Sequence, residues 1–217
     1  MSGYLDLASW PRRRHYDLFR RYERPFFNIC ANVDVTALKN AVDDSGRSFF
    51  LTSLYLSTRA ANVVEPFRYR LREAGVWIHD TIHVGSTVLL PDETFAFAYV
   101  DFDSDFHRFH ESAAAIVDAV RTDRIDAFDP RDHRDDLIHY SVIPWISFTS
   151  FAHARRQADL DSTPKIVFGK YFPEGVRLKM PVSVEVHHAL VDGLHVGVFF
   201  RRLQEYVDRA SELVALR

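Results

Sequence analysis

The chain has one cysteine, two methionines and eight glycines in 217 residues, and each scarcity excludes something. A lone Cys30 cannot close an internal disulfide, so a reducing, cytoplasmic compartment is expected. It sits inside the apolar stretch FFNICANVDV and reads as a buried, inert thiol rather than a nucleophile. No apolar run approaches the roughly 20 residues of a membrane span, and the first residues hold no signal-like core. Charge of either sign is not in excess: 27 Lys and Arg stand against 30 Asp and Glu, net −3, so neither nucleic acid nor a membrane surface is expected as a partner. With no repeat and no linker-like stretch, residues 1–217 read as a single domain. His133 and His139 lie among five aspartates between Asp126 and Asp136. No tight ligand spacing joins them, so this stretch, 126–139, reads as a solvated loop and no metal is expected.

What is present is a full set of periodic segments. SWPRRRHYDLFRRY reads as a helix capped by Ser9 and opened by Trp10 and Pro11. FFNICANVDV reads as a strand. DVTALKNAVDDSG is a helix capped by Asp34 or Thr36 and ended near Gly46. SFFLTSLYLSTRAANVV is a buried helix stopping before Pro66. GVWIHD, IHVGSTVLL and TFAFAYVDF read as three strands, SDFHRFHESAAAIVDAVRTD as an amphipathic helix, and YSVIPWISFTSF as a strand interrupted at Pro144. KIVFGKYFPEGVRLKMPVSVEVHHAL reads as two strands about FPEG, and the remainder as one closing helix. The fold class is α+β: a mixed, largely antiparallel sheet packed with helices.

The segment SVEVHHALVDGLHVG carries the chemistry. Strand alternation places His187 and His188 on opposite faces, so one can serve structure while the other meets a cleft. A histidine near neutrality can take a proton from a hydroxyl and return it. HHALVDG with the following LHVG resembles the signature of the chloramphenicol acetyltransferase family. ASWPRRRHYDLF resembles that family's opening Trp-x-Arg segment, IPWISFTSF its Pro-Trp-x-x-Phe segment, and FGKYFPEGVRLKMPVSVEVHH its Lys-Tyr lead into the catalytic strand. The likeness spans nearly the whole chain in order.

The resemblance implies a two-layer acyltransferase fold and a homotrimer with its sites at subunit interfaces. It implies acetyl transfer from acetyl-coenzyme A, a co-substrate rather than a bound cofactor, to a small-molecule hydroxyl, chloramphenicol first. It assigns His188 as the general base, His187 as its structural neighbour, and Asp192 as a carboxylate paired with Arg12. It assigns Ser141 as the donor to the oxyanion, and Trp145, Lys170 and Tyr171 to the coenzyme channel. Phe19, Phe151, His153 and Val167 fall at acceptor positions. Here the chain departs from the antibiotic-modifying pattern. A threonine that helps hold a water is Val167, and apolar positions become His153, Lys165 and Glu23. A pocket for a neutral aromatic drug does not suit these charges. Either they turn outward, or the acceptor is a more polar hydroxyl or amine.

Overall fold

The computed structural model describes residues 2–122, 134–155 and 161–215. Its main sheet is built from β2 (Phe26–Asp34), β5 (His83–Leu89), β6 (Phe95–Val100), β7 (Leu137–Ile143), β8 (Lys165–Gly169), β9 (Phe172–Glu174) and β10 (Arg177–His187). The strand order is β2-β10-β8-β7-β5-β6, with β9 also on β10. β8 runs parallel to β7 and β7 parallel to β5; the other pairs are antiparallel. A small second sheet joins β1 (Gly3–Tyr4), β4 (Gly75–Ile78) and β3 (Tyr69–Arg72) after the 3₁₀ turn Glu65–Arg68. GVWIHD thus belongs to this small sheet, and Tyr69–Arg72 is a strand that sequence periodicity did not reveal.

The helices are α1 (Arg13–Phe19), α2 (Thr36–Ser45), α3 (Phe49–Val63), α4 (Phe106–Arg121), α5 (Gly193–Asp208) and α6 (Ala210–Val214). The expected closing helix is therefore broken at Arg209. Ser9 does not cap α1: its hydroxyl bonds Asp6, and the helix begins after Arg12. Asp34 accepts the Thr36 amide and hydroxyl in a turn ahead of α2, so the residue at the N-cap is Val35. Gly46 closes α2 at φ 67°, a left-handed cap.

Alternation divides the main sheet into two unlike faces. Val182, Val184 and Val186 of β10, Ile166 and Phe168 of β8, and Ile138 and Tyr140 of β7 join one buried cluster with the helices. The Tyr140 hydroxyl bonds Thr58 and Ser57, tying β7 to α3. The opposite face carries no helix among the described residues. It presents three cross-strand rows: Ser141, Val167, Ser183, Cys30; then His139, Lys165, Glu185, Asn28; then His187 beside Phe26. Segments 146–155 and 161–164 run over it. Gly169 lets one of them close: a Cβ there would stand 2.6 Å from Pro181, 2.9 Å from the Phe148 ring and 3.1 Å from the Ile146 carbonyl.

His139 corrects the loop reading of 126–139. Residues 137–139 are strand, with His139 facing Lys165, and Asp135 and Asp136 are ion-paired to Arg72 and Arg134. His133 and Asp126 lie outside the described residues. YSVIPWISFTSF is strand only to Ile143. Cys30 is half-buried; burial pushes its thiol above the ordinary value despite a Ser183 contact, which leaves it a poor nucleophile. Among the described residues no helix is long and apolar enough to cross a membrane.

Candidate active site

β10 ends at His187, and the chain turns through His188–Val191 before α5 starts at Gly193. Arg12 makes this turn rigid. Its Nε and Nη2 each donate to an Asp192 carboxylate oxygen at 2.6 Å. Nη1 donates to the Leu190 carbonyl at 2.7 Å and to Ala189 at 3.3 Å, and Nη2 to the His188 carbonyl at 3.1 Å. A planar fork of donors suits this task, and a lysine could not reproduce it. Partial burial would raise the Asp192 carboxyl, but the Arg12 bonds and charge outweigh it and hold it below the usual carboxylate range. His195, the third residue of α5, accepts the Asp192 amide on Nδ1 at 2.9 Å, a contact whose only sequence signal was its place after the N-cap.

His188 is held at the rim of this clamp, with its side chain 34% exposed. Its amide donates to the Pro25 carbonyl at 2.7 Å, and its ring stacks on Phe19 with centroids 3.9 Å apart and planes 8° from parallel. Phe27 closes the other flank at 4.6 Å. Nδ1 is buried 3.3 Å from Asp192 Oδ1, outside hydrogen-bonding geometry. Nε2 is then the nitrogen left to face a reactant. His187 turns the other way, beside Phe26, and Nδ1 accepts the Ala189 amide at 3.2 Å. Burial, aided by the Arg155 charge, pushes its pKa down to about 4, so it stays neutral.

Ser141 is not part of this group. Its row meets β10 at Ser183, two strands away, and His188 lies five residues further on. At strand dimensions that is about 16 Å along and about 10 Å across. Ser141 instead opens onto a cavity of about 810 Å³ between the β5–β6 hairpin, α4 and the end of β7, with Phe50, Phe95, Trp145 and Phe151 among its walls. Trp145 is 62% exposed at that wall. Val167 is fully buried beside Ser141. Lys170 and Tyr171 lie outside the cavity lining; Lys170 is exposed and Tyr171 meets Phe49 at 5.5 Å.

Of the departing positions, Glu23 is exposed in a bend, while His153 and Lys165 are drawn into a buried ionic cluster. Arg155 Nε donates to Glu185 Oε1 at 2.6 Å and Nη1 to Asp161 Oδ2 at 3.0 Å. His153 lies 3.5 Å from Glu185 and against Phe151. Burial would raise the Glu185 carboxyl, but His153 and Arg155 bring it down to about 2. Sequence reading passed over Arg155 and Glu185, although a carboxylate inside VSVEVHH signals that a cation must meet it. No three His, Cys, Asp or Glu side chains among the described residues converge as metal ligands would.

The family model described as chloramphenicol acetyltransferase matches residues 2–204. A chloramphenicol acetyltransferase of Streptomyces acrimycini is 34% identical over 204 residues, covering 92% of this chain and 91% of the relative. Another, of Proteus mirabilis, is 28% identical over 209 residues, covering 96% and 95%. A solved chloramphenicol acetyltransferase superposes with a TM-score of 0.88 at 28% identity, covering 95% of this chain and all of the other. A dihydrolipoamide acetyltransferase of Azotobacter vinelandii shares the fold, with a TM-score of 0.67 at 16% identity, covering 94% of this chain and 89% of the other.

Proposed function

Because the chain belongs to the chloramphenicol acetyltransferase family and is thereby an acyltransferase, we propose that it transfers an acetyl group from acetyl-coenzyme A to an acceptor hydroxyl, with His188 as general base. The observation that carries this reading is the clamp of Arg12 and Asp192 around a half-exposed imidazole. An N–H on Nδ1 suits the adjacent carboxylate, which leaves the Nε2 lone pair for the acceptor proton. Asp192 has both oxygens committed to Arg12, so it holds the ring's surroundings and relays nothing. The deprotonated oxygen attacks the thioester carbon. The Ser141 hydroxyl donates to the oxyanion that forms, and collapse expels the thiolate, which recovers the proton from His188.

His188 and Ser141 are too far apart in one protomer to act on one carbonyl, so the reaction needs His188 of one copy against the Ser141 face of another. A homotrimer with interfacial sites meets that requirement. The coenzyme enters by the cavity that Ser141 shares with Trp145, and Lys170 and Tyr171, outside that lining, are assigned to it by the family resemblance alone. Phe19 and Phe27 hold the base, while Phe151, His153 and Val167 border the acceptor. The cytoplasm suits an enzyme whose one thiol is free. Chloramphenicol is the first acceptor to test, because relatives carry its name. Purified protein mixed with acetyl-coenzyme A and chloramphenicol should release free thiol. His188→Ala should abolish release while leaving the oligomer intact; activity retained by that variant would overturn the assignment.

A further inference from the structure

We propose that the preferred acceptor carries a carboxylate, held by Lys165 and Arg155 next to Ser141. The proposal rests on the acyl-transfer reading and names its substrate class. Its first ground is position. Lys165 and His139 are the cross-strand pair one step along the same sheet face from Ser141 and Val167, about 7 Å away. The step leads away from the Trp145 cavity, so an acceptor reaching Ser141 from that side passes the ionic row.

The second ground is what the cluster leaves unspent. Both Glu185 oxygens are engaged, Oε1 by Arg155 and Oε2 by the His153 amide. Asp161 Oδ1 takes the Thr163 amide and Oδ2 takes Arg155. On the donor side, Arg155 Nη2 is buried with no hydrogen-bond partner among the described residues. Lys165 Nζ stands 3.8 Å from Asp161, an ion pair too long for a hydrogen bond, with 15% of its side chain still accessible. Among the described residues the carboxylate oxygens are filled, while Arg155 Nη2 and Lys165 Nζ make no hydrogen bond. A buried donor without a partner is costly, and an oxyanion of the ligand is the group that satisfies two at once.

The third ground is charge. The strongest charges acting on His139 are those of Lys165, Arg70 and Arg155, opposed by Asp161. Burial, followed by Lys165, drives the His139 pKa down to about 4, so this imidazole adds no fourth positive charge at neutral pH. Arg70 itself is spent on the carbonyls of Phe67, Tyr69, Asp135 and Leu137, so it contributes field and no free donor.

The test uses two acceptors of one skeleton: chloramphenicol, and the analogue with a carboxylate in place of its nitro group. The intact protein should acetylate the carboxylate member with a kcat/KM at least about tenfold higher. Lys165→Met should erase that preference by raising KM for the carboxylate member alone, and Lys165→Arg should keep it. A preference for chloramphenicol, or a Lys165→Met effect equal on both, overturns the proposal while leaving acetyl transfer standing. Calorimetric binding of each compound without acetyl-coenzyme A separates the two readings. Lys165-dependent binding of the carboxylate member with no transfer keeps the anion site and removes the acyl-transfer reading. Absence of that binding removes the anion site.

Discussion

Arg12 spends each of its three guanidinium nitrogens on a single turn of chain near His188. Arg12→Met would strand the half-buried Asp192 charge and release three carbonyls, a loss of about 3–5 kcal/mol. Urea unfolding should show it as a lower midpoint, and Arg12→Lys should not restore the wild-type value. A second residue-scale effect concerns acid. His139 and His187 have folded pKa values of about 4 against an ordinary 6.5, so the unfolded chain binds more protons between those pH values. Stability is therefore full above pH 6.5 and falls as pH drops towards 4. Glu185, held near 2 against 4.5, extends the loss below pH 4.5. His187→Asn, whose amide oxygen can accept from Ala189, should make the slope between pH 6.5 and 4 shallower. An unchanged slope in pH-dependent chemical denaturation would contradict this account.

At the scale of elements, Gly169 shows how one missing methyl positions a wall of the site. Adding a Cβ would press on the Ile146 carbonyl and Phe148, and so on the segment carrying Trp145 and Phe151. Gly169→Ala should cost about 1–3 kcal/mol and raise KM for acetyl-coenzyme A more than it lowers kcat. Elements also decide what the sequence could disclose. The long helices and β10 were legible because eleven or more residues repeat one period. Tyr69–Arg72 was not, because Tyr-Arg-Leu-Arg alternates for only two repeats, too short a run to stand out, and its pairing with Gly75–Ile78 depends on the turn between. His139 looked like part of a solvated acidic stretch, yet three residues of that stretch enter the sheet because the parallel neighbour β5 supplies their bonds. The HHALVDG turn was legible through its resemblance. The ionic cluster of Arg155, Asp161 and Glu185 draws on three separate segments, and no local pattern joins residues that meet only in the folded chain.

At the scale of the molecule, the separation of His188 from Ser141 makes a sharp prediction. His188→Ala and Ser141→Ala proteins, each inactive or nearly so, should regain activity when unfolded together and reassembled. A random mixture of trimers would hold one intact site in each mixed assembly, about a quarter of all sites. No recovery above the sum of the parents would show that both groups act from one chain. The bond between Arg12 and Asp192 spans 180 positions and has a consequence in time as well as in space. During synthesis the arginine leaves the ribosome early and must wait for nearly the entire remaining polypeptide before its carboxylate arrives. The reactive turn is thus among the last features a newborn molecule can complete, and translation halted anywhere before that point yields a product with no working centre.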